Sequence, residues 1–179
     1  PYQAIREILF NAIIHREYRT TPITIKVYPD RLRIWNIGTL PQGLTIEDLK
    51  KDHDSYPRNH LMANAFYLGG HIESWGRGTV KVMEECEKYG LPEPLIEEVG
   101  GGIAVTLYKN KTAPEFLTTL DLNDRQLKVI EYLKKNKSIS RKEYEELIGV
   151  QRKTALRDLD KLVDLEILKV EGVNKLTRY

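Results

Sequence analysis

Residues 147–162 read Leu147-Ile-Gly-Val-Gln-Arg-Lys-Thr-Ala-Leu-Arg-Asp-Leu-Asp-Lys-Leu162. The pair Gly149-Val150 predicts a tight turn, and the helical period that follows predicts a helix from Gln151 to about Leu165. The apolar side chains of this helix share one side, and the basic and polar ones lie opposite. The first group is Ala155, Leu156, Leu159, Leu162 and Val163, and the second is Lys153, Thr154, Arg157 and Lys161. We therefore expect a buried face and a basic exposed face.

Two helices are predicted before this turn, and a hairpin is predicted after it. Asn123 with Gln126, and Ser140 with Glu143, have the spacing of capping boxes that begin helices. The first of these helices is expected to end near residue 136 and the second at residue 149. Residues 167–171 and 176–179 are predicted as strands joined by a turn at 172–175. This order of elements is that of a winged helix-turn-helix.

The segment from Ser140 to Leu168 resembles the winged helix of bacterial and archaeal regulators of the DeoR-like and MarR-like kind. The resemblance and the basic helix face together favour double-stranded DNA as the partner, bound by a dimer on a repeated site. The expected DNA contacts are Gln151, Arg152, Lys153, Thr154, Arg157 and Lys161 on the helix, and Lys169, Lys175 and Arg178 on the wing. Two alternatives stay open: the helix is simply amphipathic, or the module binds protein.

Composition narrows the class of protein. The chain of 179 residues has a net charge of +2, but residues 116–179 carry 14 Lys and Arg against 11 Asp and Glu. The single cysteine, Cys86, excludes an internal disulfide and fits a reducing cytoplasm. With no apolar run long enough to cross a bilayer and no signal peptide, a soluble cytoplasmic protein is expected. Because a helical pattern is already present at Ala4, we expect a piece of a longer chain with a further N-terminal domain.

A polar stretch around Pro114 separates two regions with different patterns. We predict a first domain at 1–110, a linker at 111–119 and the winged helix at 120–179. In the first domain, a helix from Tyr2 to about Arg16 precedes two alternating segments that predict a hairpin. Further helices are predicted at 45–51, 61–68 and 79–89, and a closing strand at 102–108. The fold class is therefore α+β, with at least three strands in the first domain.

The opening helix carries a polar stripe on an otherwise apolar surface. Glu7, Asn11 and His15 are spaced by four residues and therefore project from one side. A carboxylate and a carboxamide in this arrangement can hold a hydrated Mg²⁺ and orient a water molecule. The alternative is that these side chains cap neighbouring strands or face solvent. The histidines and Cys86 lack the spacing of a metal site and are expected to be structural or on the surface.

Two glycine motifs follow the stripe in order: Asn36-Ile-Gly38 after a strand and Gly76-Arg-Gly78 at the start of a helix. Glycines at a helix N-terminus let backbone N–H groups approach phosphate. This order resembles the ATP-binding fold of gyrase, Hsp90, histidine kinases and MutL, the GHKL or Bergerat-type α/β sandwich. Residues 4–18, the pair Arg58-Asn59 and residues 70–79 are more closely similar to its divergent RecG-like subfamily, found C-terminal to AlbA/Schlafen-type domains in transcriptional regulators.

The resemblance implies a role for each matching residue. Glu7 would be the catalytic general base and Asn11 the Mg²⁺ ligand, with the ATP held by Asn11, Asn36, Gly38, Gly76 and Gly78. Asn36 departs from the family pattern because it replaces the aspartate that recognises adenine. The second glycine motif has only two glycines, and the lid at 39–60 is short. Because of these departures, two alternatives stay open: the domain binds nucleotide without hydrolysing it, or it keeps the fold in a purely structural role.

The sequence thus predicts a DNA-binding transcriptional regulator with an ATPase-like domain. One alternative is an Mg²⁺-dependent ATPase that its winged helix positions on DNA, and another is a scaffold that binds no nucleotide. No Gly-x-x-x-x-Gly-Lys-Ser/Thr loop occurs in this chain, so that nothing in it supports helicase activity.

Overall fold

The computed structural model describes residues 1–19, 21–72, 76–171 and 177–179. They form two compact units, Pro1–Asn110 and Lys111–Tyr179, each with its own core. No helix within these ranges is long and apolar enough to span a membrane.

The first unit is built on a four-stranded antiparallel sheet. Its strands are β1 Thr24–Val27, β2 Arg31–Ile37, β3 Leu95–Val99 and β4 Gly102–Tyr108, in the order β1-β2-β4-β3. β2 and β4 pair along their whole length, with Ile34 opposite Val105 and Asn36 opposite Ile103. The α+β class predicted from the sequence is confirmed.

Three helices accompany this sheet: α1 Tyr2–His15, α2 His60–Leu68 and α3 Gly78–Lys88. α1 and α3 lie against each other and against one face of the sheet. Their apolar spacing explains this packing, because Ala4, Ile8 and Ala12 of α1 recur at helical intervals and are buried. The core of the unit consists of Ala4, Ile8, Ala12, Ile34, Val82, Cys86 and Leu107.

Two elements of the first unit differ from the sequence prediction. The helix predicted over 45–51 is only a 3-10 turn at Asp48–Lys50, although Thr45 and Asp48 exchange the hydrogen bonds of a capping box. Lys51 is already extended, and only Leu49 of this turn is buried, so that little packing supports a longer helix. β3 was missed because Glu97 and Glu98 interrupt its apolar pattern.

The second unit contains α4 Pro114–Leu117, α5 Asp124–Lys135, α6 Arg141–Ile148 and α7 Arg152–Asp164. Both predicted capping boxes are formed, at Asn123 and Ser140. Gly149 ends α6 in the left-handed region at φ 74°, which produces the predicted tight turn before α7. The core of the unit consists of Leu117, Val129, Ile130, Ile139, Tyr144, Ala155, Leu159 and Leu162.

The regions predicted as linker and as wing differ in detail from the prediction. Within 111–119 the chain forms α4, and Leu117 of this helix is buried in the core of the second unit. The predicted strands at 167–171 and 176–179 are reduced, in the described residues, to single antiparallel bridges that join Arg178 to Glu171 and to Ser140. The predicted turn at 172–175 lies outside the described residues.

Candidate functional site

A cavity of about 340 Å³ opens in the first unit between α1, the sheet and the start of α3. Its apolar wall includes Ile8, Ala12, Ile34, Leu49, Val82, Ile96, Ile103 and Val105. Polar groups reach it from distant parts of the sequence, namely Asn11, His15, Asn36, Thr39, His53, Asp54, Ser55, Tyr56, Arg58 and Thr79. Gly38, Gly76 and Gly78 also line it, so that all five residues expected from the sequence to hold ATP meet at one cavity. An apolar cleft with a few convergent polar groups is the usual form of a small-molecule site.

Glu7 and Asn11 meet the N-terminus of α3 at Gly78. A Cβ built on Gly78 would overlap a carboxylate oxygen of Glu7 and would lie 3.0 Å from Asn11 Nδ2. Glycine at this position therefore lets both side chains reach the first turn of α3. The N-cap residue of this helix, Arg77, makes no side-chain capping hydrogen bond to its first turn. The N-terminus of a helix attracts anions. Asn11 lines the cavity, whereas Glu7 lies beside it.

Gly76 is held against the segment that passes over the cavity. Its φ is 87°, and a Cβ at this position would overlap the carbonyl oxygen of His53. Between the two glycines, Arg77 Nε lies 3.2 Å from Asp52 Oδ1, and Arg77 Nη2 lies 3.7 Å from Glu84 Oε1. The segment 52–55 therefore lies directly on the glycine motif.

The opposite side of the cavity is fixed by Arg58 and Asn59. Arg58 donates to the carbonyl of Thr39 at 3.1 Å, and its guanidinium carbon lies 3.2 Å from a Cβ built on Gly38, which has φ 122°. Asn59 Nδ2 donates to the carbonyls of Ile14 and Arg16 at 2.7 and 2.9 Å. These two acceptors lie at the C-terminal end of α1, where carbonyls lack helical partners. Arg58-Asn59 thus ties the start of α2 to the end of α1.

His15 is a cavity residue, although the sequence predicted a structural or surface position. Burial, followed by the positive charges of Arg58 and His53, lowers the pKa of His15 to about 4. The imidazole is therefore neutral at physiological pH and offers one donor and one acceptor. His15, His53 and Thr79 were not proposed as site residues from the sequence. The four-residue spacing from Glu7 through Asn11 to His15 was the available signal for His15.

Two polar side chains at the cavity indicate which kind of ligand it can bind. Asn36 is buried, and within the described part of the chain its Nδ2 makes a long contact of 3.4 Å with the carbonyl of Ile37. Thr79 Oγ1 is buried without a hydrogen-bond partner among the described residues. A buried hydroxyl without a partner is costly, and a polar ligand would satisfy it. Within the described residues, no cluster of three or more His, Cys, Asp or Glu could hold a metal ion.

The second unit presents a basic surface on α7. Arg152, Lys153 and Arg157 are exposed, and the opposite side of the helix inserts Ala155, Leu159 and Leu162 into the core. Gln151 precedes the helix, is exposed and forms no side-chain cap. Thr154 is half-buried beside them. The face predicted to be basic is thus accessible over the first half of α7.

The remaining predicted DNA contacts are placed less favourably. Lys161 donates to the main-chain carbonyl of Asp121, and its side chain lies 3.5 Å from that carboxylate. Arg178 donates to Ser138 Oγ at 2.8 Å and lies 3.7 Å from Glu143. Both cations are therefore engaged within their own unit. Lys169 is exposed, and Lys175 lies outside the described residues.

Residues 20–107 match a protein-family model described as "Putative ATP-dependent DNA helicase recG C-terminal". The match indicates that this part of the first unit is similar to an ATPase-like domain family. A similar solved structure is the DIP2311 protein from Corynebacterium diphtheriae, with 21% identity and a TM-score of 0.57. That match covers 90% of this chain but only 36% of the DIP2311 chain, and at this identity it concerns the fold alone. A search of curated proteins gave no significant match.

Proposed function

We propose that the first unit binds ATP with Mg²⁺ in the 340 Å³ cavity, and that the second unit is a winged helix that binds duplex DNA. The chain would then be the nucleotide-responsive, DNA-binding part of a cytoplasmic transcriptional regulator that acts as a dimer. The observation that carries the nucleotide half is the convergence of Asn11, Asn36, Gly38, Gly76 and Gly78 on one cavity. The match of residues 20–107 to an ATPase-like family supports it.

The residues at the cavity fit a nucleotide better than a free metal ion. The volume lies in the range of small-molecule sites, and the apolar wall suits a purine ring. The N-terminus of α3, which its N-cap residue Arg77 does not cap, and the buried Thr79 hydroxyl suit phosphate oxygens. Mg²⁺ usually keeps several waters and takes its other ligands from phosphates and one or two side-chain oxygens. Asn11 would supply the protein oxygen, and the nucleotide would supply the rest.

Isothermal titration of the full chain with ATP and Mg²⁺ tests this half of the proposal. We expect saturable binding that weakens when Asn11 is replaced by Ala, and little change for Asn110→Ala, an asparagine that does not line the cavity. A flat trace at millimolar ATP would refute nucleotide binding by this chain.

Hydrolysis of the nucleotide is a second candidate activity, favoured by the contact of Glu7 with Gly78. A carboxylate beside the first turn of α3 is close to where a terminal phosphate would sit, and it could accept a proton from an attacking water. We expect Glu7→Gln to abolish phosphate release and to preserve ATP affinity. If the wild-type chain binds ATP but releases no phosphate, the site binds without turnover.

The DNA half of the proposal rests on the exposed cations in the first half of α7. These cations, Arg152, Lys153 and Arg157, lie on the side of α7 opposite the face that packs in the core. A recognition helix presents its exposed side to the major groove in the same way. Titration of a fluorescent 24-base-pair duplex at low salt tests it. We expect binding by the full chain and a clear loss in the Lys153→Ala, Arg157→Ala double variant. Binding that this variant leaves unchanged would favour a protein-interaction role for α7.

A further inference from the structure

A buried carboxylate connects all three long helices of the second unit. Asp158 lies near the middle of α7 and is 2% exposed, although it follows the exposed Arg157 directly. Arg125 of α5 donates to its two carboxylate oxygens at 2.7 and 3.1 Å. Tyr144 of α6, which is completely buried, donates its hydroxyl to Asp158 at 3.0 Å. One side chain of α7 thus holds a partner from each of the other two helices.

The cap of α5 joins the same network. Asn123 Nδ2 lies 3.4 Å from Asp158 Oδ1, and Gln126 Nε2 donates to the main-chain carbonyl of Asp158 at 3.2 Å. The oxygen of the Gln126 amide meanwhile accepts from the main-chain N–H of Asn123. Burial opposes ionisation of Asp158, but the hydrogen bonds from Arg125 and Tyr144 outweigh it and hold its pKa below the usual value. The carboxylate is therefore a charged, fully partnered group in the interior.

The network constrains α7 in a way that the apolar core does not. Burial of Ala155, Leu159 and Leu162 favours turning this face of the helix inward, but the hydrophobic effect has no directional dependence of its own. Hydrogen bonds to Asp158 from two directions weaken steeply with distance and angle. A buried charge that loses a partner is costly, and the helix is therefore held in one orientation.

We propose that Asp158, with Arg125 and Tyr144, is the positioning residue that sets the orientation of α7 for reading base edges in duplex DNA. This inference rests on the proposed DNA-binding function. Long Lys and Arg side chains still reach phosphates from a slightly rotated helix, whereas contacts to base edges require the helix to be placed accurately. Loosening the network therefore lowers affinity for a preferred sequence and leaves sequence-independent binding intact.

The experiment uses the full chain and two duplexes: one enriched by the wild-type protein from a pool of randomised 20-base-pair sequences, and one scrambled duplex of equal composition. The variants are Asp158→Asn and the milder Tyr144→Phe, which removes a single donor and keeps the ring in the core. Val129→Ala is the matched control, because Val129 is completely buried in the same core on α5 but forms no part of the network. Each variant is checked for folding by circular dichroism.

We expect both network variants to bind the enriched duplex about tenfold more weakly, with affinity for the scrambled duplex and its salt dependence unchanged. If the network has a purely structural role, its variants will have a lower folded fraction and both affinities will fall together, as we expect for Val129→Ala. That result would overturn the inference. So would unchanged affinity for both duplexes. If the wild-type chain binds all duplexes equally, there is no base reading to position, and the inference fails while DNA binding stands. If it binds no duplex at all, the proposed DNA-binding function itself fails.

Discussion

The carbonyl oxygen of His53 lies so close to the Cα of Gly76 that a Cβ at position 76 would overlap it. The segment that passes over the cavity and the glycine motif at the start of α3 therefore form one packed surface. Two glycines, Gly76 and Gly43, have nearly the same positive φ, 87° and 89°. Among the described residues, a Cβ built on Gly43 would meet nothing within 4 Å, whereas one built on Gly76 would overlap His53. Comparing the same substitution at these two glycines therefore separates the effect of backbone strain from the effect of close contact.

We predict that Gly76→Ala destabilises the first unit by at least about 2 kcal/mol more than Gly43→Ala does. The shared cost of a positive φ is about 1 kcal/mol, and the overlap with His53 adds the cost of overpacking against backbone. Urea unfolding followed by tryptophan fluorescence measures this difference, because the sequence has two tryptophans, Trp35 and Trp75, and neither lies after residue 110. Equal losses for the two variants would mean that the contact is not made in solution.

Asn59 provides a second test, at the junction of α1 and α2. We expect Asn59→Ala to cost about 2 kcal/mol, because it removes two donors from the carbonyls of Ile14 and Arg16. Asn59→Asp should be worse, since a carboxylate cannot donate and places negative charge at a helix C-terminus. The same urea titration gives both values. An aspartate variant as stable as the alanine variant would contradict this role.

The stability of the first unit should fall as pH decreases from about 6.5 to 4. His15 has a folded-state pKa of about 4 against an ordinary value of 6.5, so that the unfolded chain binds a proton more readily in this window. Stability due to this group is complete above pH 6.5 and is lost progressively on acidification, by roughly 3 kcal/mol once both states are protonated. Urea unfolding at several pH values should show a flatter dependence for His15→Gln. Parallel curves for the two proteins would exclude His15 as the cause.

On α7, Arg157 and Lys161 should behave differently towards DNA, although the sequence predicted the same role for both. Arg157 is exposed, whereas Lys161 is held by Asp121. We predict that Arg157→Ala reduces the slope of log affinity against log salt by about 1, the effect of one lost phosphate contact, and that Lys161→Ala leaves it unchanged. Fluorescence titration at salt concentrations from about 50 to about 300 mM measures both slopes. Equal slopes for the two variants would refute this distinction.

Local signals in the sequence predicted most of the helices, because capping depends on residues three positions apart. Asn123 with Gln126 and Ser140 with Glu143 placed the starts of α5 and α6 correctly, and Gly149 placed the end of α6. β3 could not be predicted in this way, since its pairing with β4 supports a strand in which two glutamates interrupt the apolar pattern.

In the candidate sites too, local sequence patterns predicted some residues, whereas contacts between residues far apart in the sequence could not be predicted. Helical periodicity placed Lys161 on the basic face, but it cannot show that Asp121, forty residues earlier, binds this ammonium group. Periodicity likewise places Asp158 on the buried face, three residues after Ala155 and four before Leu162. It cannot show that Arg125 and Tyr144 converge on its carboxylate. In the first unit, the glycine motifs and Asn11 were singled out, whereas Thr79 and His53 reach the cavity through tertiary packing.

The short helix α4 decides where the chain can be divided for separate expression. Ala113 and Leu117 are buried, and Lys111 forms an ion pair with Glu166 of the second unit. A fragment that begins at Leu120 would lose the Leu117 side chain and leave a hole in its own core. A recombinant second unit should therefore begin at or before Lys111, and protease cleavage between the units is expected on the N-terminal side of Ala113.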